Sequence, residues 1–114
     1  MRSTLAVACV AATAIAVAAF AGPAAAAPAK LTATVGPGFT ITLSKKTVKA
    51  GTYVVILRER SNIHNFHLIG LGVNKKTSVA AVKSYTWTVK LKRGTYRFIC
   101  DPHASIMKGT LKVT

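Results

Sequence analysis

The chain reads as an all-β protein, a β-sandwich of about seven short strands, and three observations predict it. Beyond residue 27 no ten-residue stretch repeats its apolar positions at helical spacing. Short runs of alternating or β-branched residues recur instead. Clusters rich in Gly, Pro or basic residues separate them, among them Gly36-Pro37-Gly38, Gly70-Leu71-Gly72 and Lys92-Arg93-Gly94. Strands this short, with turns at this frequency, suit two packed sheets.

Taken in order, Pro28 to Lys30 reads as a short lead. Leu31 to Val35 alternates apolar with polar or small residues and predicts a strand; Phe39 to Leu43 alternates again after the Gly-Pro-Gly turn. Ser44 to Ala50 is a basic connector. Gly51 to Leu57 is largely β-branched and predicts a strand buried on both faces. Arg58 to Asn62 reads as a polar turn, and Ile63 to Ile69 as the next strand. Ser84 to Leu91 alternates most cleanly, with Tyr85, Trp87, Val89 and Leu91 inward and Thr86, Thr88 and Lys90 in water. Thr95 to Cys100 runs back, and Gly109 to Val113 is the last strand.

The first quarter of the chain has a different character. Met1-Arg2 is a short positive start, Leu5 to Ala21 is an uncharged, largely Ala/Val/Ile run, and small residues and prolines follow. That layout predicts a cleaved signal peptide over residues 1–27, with Ala19-Phe20-Ala21 and Ala24-Ala25-Ala26 as candidate cleavage triplets. It leaves one domain, residues 28–114, and an exported destination: periplasm, cell envelope or extracellular space. A spanning helix would need roughly 20 predominantly apolar residues, so no transmembrane segment is expected in the mature chain. Cys9 falls within the discarded part. A domain this small gains little from its core alone, and a bound metal would add stability by favouring the folded state.

Sixteen Lys and Arg stand against two acids, Glu59 and Asp101. Such a surplus steers a protein towards acidic partners or anionic surfaces and says nothing of its fold. Two lone acids also exclude a paired-carboxylate hydrolase, and no enzyme is expected.

The chemistry-bearing residues lie in two short stretches. Cys100-Asp101-Pro102-His103-Ala104-Ser105-Ile106-Met107 carries a thiol, an imidazole and a thioether; Ile63-His64-Asn65-Phe66-His67 carries two more imidazoles. Exported proteins usually pair their cysteines, and Cys100 has no partner in the mature chain, so a metal ligand is the better reading. Two His, one Cys and a weak Met are the donor set of a blue-copper site, with zinc the main rival. Strand parity puts Cys100 on the face of Tyr96 and Phe98. The same rule puts His64 with Phe66 and Leu68 and turns His67 away, which favours His64 as the distant ligand.

These stretches resemble the cupredoxin family, the plastocyanin, pseudoazurin and amicyanin group of small blue copper proteins. The resemblance rests on Ala50-Gly51-Thr52-Tyr53-Val54, His64-Asn65-Phe66, Gly94 to Cys100, Pro102-His103 and Met107-Lys108-Gly109, and spans nearly all of residues 28–114. It implies a Greek-key β-sandwich. It also implies one copper ion held by His64, Cys100 and His103 with Met107 axial, and Asn65 tethering the two ligand-bearing segments. The implied activity is single-electron transfer between Cu(II) and Cu(I) states, the partner an acidic redox protein or an anionic envelope surface, and the state a monomer. Three residues separate His103 from Met107, where plastocyanin-like loops have four and amicyanin-like loops two. A copper carrier or buffer using the same ligands is an alternative. A cationic envelope- or nucleic-acid-binding module is another; no specific nucleic-acid binding is expected, because Tyr85 and Trp87 lie on the core side rather than on a basic stacking face.

Overall fold

A computed structural model describes residues 8–16 and 27–114. The candidate cleavage triplets and both ends of the apolar run lie outside the described residues. Among the described residues no helix is long and apolar enough to cross a membrane.

Among the described residues nine strands form two mixed sheets: β1 (Ala29–Val35), β2 (Ile41–Leu43), β3 (Thr47–Val48), β4 (Gly51–Glu59), β5 (His67–Gly70), β6 (Val73–Lys76), β7 (Ser84–Leu91), β8 (Gly94–Ile99) and β9 (Lys108–Val113). One sheet has the order β2-β1-β4-β7, the other β3-β9-β8-β5-β6. The chain passes repeatedly between the sheets, which is the expected all-β Greek-key sandwich. The only helical element among the described residues is a 3-10 turn at Asp101–His103.

Alternation is the reason these segments are strands. Leu31, Ala33 and Val35 of β1, Tyr53, Val55 and Leu57 of β4, and Val89 and Leu91 of β7 face the other sheet. From there Leu68, Tyr96, Phe98, Leu111 and Val113 face back. Each large side chain so buried contributes about 1.5–3 kcal/mol. Phe66 and Phe98 stack at 5.7 Å near the site end of this core. Gly109 sits opposite Phe98 in the β8–β9 register, and a Cβ there would fall 2.2 Å from the Phe98 ring. Only glycine lets the ring lie flat across β9.

Several expectations need correction. The lead at Ala29 and Lys30 is already strand, paired in parallel with Tyr53 and Val54. The basic connector contains β3, which adds to β9 at the edge of the second sheet. β4 is buried on one face only; on the other Val54 and Ile56 are half-buried and Thr52 and Arg58 exposed. It also continues through Arg58 and Glu59, where a polar turn was expected; pairing of Val35 with Glu59 carries it on. The fifth strand begins at His67, not Ile63, and β6 was not foreseen. In β7 the alternation is as expected, although Tyr85 and Trp87 are half-buried rather than buried.

Candidate metal centre

Register brings the two chemistry-bearing stretches together. His67 pairs with Ile99 across β5 and β8, so residues 64–66 lie beside the chain that leaves β8 at Cys100. His64, Asn65 and Phe66 are three consecutive buried residues in irregular backbone. Long-range contacts hold them there. The Phe66 N–H donates to Thr77 Oγ1 at 2.9 Å and to Glu59 Oε1 at 3.2 Å, and the Thr77 N–H donates to the Phe66 carbonyl at 3.0 Å. Parity therefore placed His64 on a strand that is absent, and His67 stands outside the group that His64 joins. The Nδ1 of His67 pairs with Asp101 Oδ1 at 2.8 Å and its Nε2 with Asn74 Oδ1 at 2.6 Å.

Beyond β8 the chain folds into a compact loop. Pro102 sits in the first turn of the 3-10 segment, where its missing N–H costs nothing. The His103 N–H donates to the Cys100 carbonyl at 3.0 Å, the Met107 N–H to the His103 carbonyl at 2.8 Å, and the Cys100 N–H to the Met107 carbonyl at 3.0 Å. Cys100 and Met107 are thus locked to each other through the backbone, and both are fully buried.

The side chains converge. Cys100 Sγ lies 3.7 Å from His64 Nδ1 and 3.6 Å from His103 Nδ1, and the two ring nitrogens are 3.1 Å apart. His64 is fully buried and His103 half-buried. An ion at ordinary metal–nitrogen and metal–sulfur lengths, roughly 2.0–2.3 Å, reaches all three atoms at once. No carboxylate belongs to this group of three among the described residues. A thiol and two imidazoles facing one point, with a buried thioether on the same loop, can therefore hold a soft or borderline metal ion.

Asn65 joins the two segments. Its Oδ1 accepts the Asp101 N–H at 2.8 Å, and its Nδ2 donates to Asp101 Oδ2 at 2.7 Å and to the Thr77 carbonyl at 3.4 Å. Partial burial works against the Asp101 carboxylate, but the hydrogen bonds from Asn65 and His67, with the charges of His67 and Lys76, hold its pKa below the usual range. Phe39, read as an ordinary strand residue, stands before β2 and packs edge-on against both imidazoles. Nothing local in the sequence marks it. Every Lys and Arg of residues 27–114 is exposed.

The model of the Cupredoxin-like domain family matches residues 5–113. Among solved structures, reduced rusticyanin is similar at 22 % identity with a TM-score of 0.59, covering 75 % of this chain and 78 % of its own. Reduced auracyanin from the photosynthetic bacterium Roseiflexus castenholzii is similar at 22 % identity with a TM-score of 0.56, covering 79 % and 99 %. At that identity the likeness is one of fold. No curated protein matches significantly.

Proposed function

The chain belongs to the family of cupredoxin-like domains, and on that premise we propose that it is an exported protein with one copper ion that passes single electrons between redox partners. The observation that carries this reading is the convergence of Cys100 Sγ with His64 Nδ1 and His103 Nδ1 in a largely buried pocket. Thiolate, two imidazoles and a thioether are the donors that a blue-copper site takes. Rusticyanin, similar in fold, is described as a copper protein.

A bound copper ion would supply a one-electron couple; the chain's residues set the conditions for it. In this reading His64, Cys100 and His103 would be the strong ligands and Met107 a weak one. Burial of Cys100 keeps water and oxidants from the sulfur. The backbone bonds that tie Cys100 to Met107 and His103, with the Asn65–Asp101 pair, hold the donors in one arrangement, so little has to move when the charge changes. His103, on the half-exposed turn, is the route by which an electron leaves. The exposed Lys and Arg side chains draw in an acidic redox partner through an encounter that weakens with salt. The leader over residues 1–27 is removed on export, leaving a monomeric domain from about Pro28.

Voltammetry of the copper-loaded protein tests the reading. A reversible one-electron wave is expected, with exchange to an acidic cytochrome that slows as salt rises. A copper form that no donor reduces would sink it, and ready loss of the ion to a chelator would point to a carrier instead.

A further inference from the structure

Metal-binding histidines are ordinarily oriented by a hydrogen bond at the ring nitrogen away from the metal. His64 lacks one among the described residues: its Nε2 is buried and has no hydrogen-bond partner there. Something else must fix the plane of that ring, and the turn between β1 and β2 lies against it.

The turn is built against the imidazoles at both of its ends. The Gly36 N–H donates to the Thr40 carbonyl at 2.8 Å and closes it. Gly36 adopts φ +72°, a conformation that side chains disfavour, and a Cβ there would stand 3.2 Å from His64 Cδ2 and 3.0 Å from Ser61 Cβ. At the other end Phe39 lies with its ring centre 5.4 Å from that of His64 and 5.0 Å from that of His103, at 69° and 85° to them. The two imidazoles are 4.8 Å apart, so the three rings form a closed triangle. Phe39 is nevertheless 57 % exposed. Such a side chain adds little to the core; its packing is spent on the two histidines.

We propose that Phe39 is a positioning residue for the metal centre: it takes the place of the missing hydrogen bond, holds the His64 and His103 rings in their converged orientation, and closes the way by which the ion enters and leaves. The proposal rests on the copper reading above. Phe39 donates no electrons to the metal, so its loss leaves all four ligands in place. What changes is ring order and the rate of metal exchange. Losing the equivalent of one edge-to-face aromatic pair corresponds to about a tenfold effect.

The test compares Phe39→Ala, Phe39→Leu and Phe39→Tyr with the unaltered protein. In the metal-free state, NMR relaxation of the imidazole Cε1–H groups reads ring order. In the copper-loaded state, capture of the ion by a chelator reads exchange, and the thiolate charge-transfer spectrum reads geometry. The expectation is that Ala loosens the rings, speeds capture about tenfold and shifts the band. Leu fails to restore ring order, and Tyr behaves as the unaltered protein. Melting of the metal-free protein stays within a few degrees throughout. Equal ring order and capture rates within twofold in the Ala variant would overturn the proposal, as would full rescue by Leu, since bulk alone would then suffice. If the unaltered protein shows no thiolate band with copper, the copper reading falls. The metal-free relaxation data still decide the role of Phe39.

Discussion

Replacing Glu59 by glutamine should change the pH dependence of stability in a direction the structure dictates. The side chain is 3 % exposed at the end of β4; one oxygen accepts the Phe66 N–H, and the other has no partner among the described residues. Burial penalises the ionised form. It outweighs the Phe66 N–H and the charge of Lys83, so the pKa is pushed up from 4.5 to about 7. In the unfolded chain the group titrates near its ordinary value. Between these limits the folded state keeps a proton that the unfolded state has lost, so stability falls as pH rises and levels off above about 7. At about 1.4 kcal/mol per pH unit the interval corresponds to roughly 3 kcal/mol. A surface cavity of about 440 Å³, lined by Arg58, Arg60, Val82, Lys83 and Ser84, borders the carboxyl. Water there reduces the expectation to about 2 kcal/mol. Glutamine keeps the acceptor for Phe66 and removes the charge. Urea unfolding of the metal-free proteins at constant ionic strength, from about pH 4.5 to 8.5, provides the assay, and groups common to both proteins cancel in the difference. Glu59→Gln should gain about 2 kcal/mol on the native protein across that range. A difference that stays constant with pH would refute the reasoning.

Other consequences follow from the same contacts. Asn65→Ala removes both bonds to Asp101 and should cost about 2–4 kcal/mol in denaturant unfolding of the metal-free protein. Gly109→Ala drives a methyl group into the Phe98 ring and should destabilise by about 1–3 kcal/mol, whereas Gly38→Ala, with open space around it, should be near neutral by thermal melting. Asp101, with its depressed pKa, contributes stability that is present above the ordinary value of 3.8 and lost as pH falls through its folded pKa. Asp101→Asn should therefore flatten the acid limb of the stability curve of the metal-free protein.

Much of the sandwich was legible because alternation is a local property: Tyr96 and Phe98 announce their face within six residues, and the same parity carries to Cys100. The second half of the site was legible only in part. His64 stands in irregular backbone pinned by Glu59 and Thr77, and such pinning by distant side chains leaves no periodic trace. For the same reason Glu59 read as part of a turn. It sits at a strand end carried on by β1, and its burial depends on elements far along the chain. Phe39 belongs to a run that alternates like a strand, and its contacts lie 25 and 64 positions away at His64 and His103. The Gly70-Leu71-Gly72 punctuation was visible, but β6 beyond it, Val73–Lys76, carries mostly exposed polar residues and gives no hydrophobic signal.

The most direct test of the copper reading is a visible titration of the purified protein with Cu(II), run beside Cys100→Ser. The account predicts an intense thiolate-to-copper charge-transfer band that saturates at one equivalent and is absent from the serine variant. A colourless protein, or weak absorption shared by the variant, would contradict it and bring forward the reading of a cationic module that binds an anionic envelope surface.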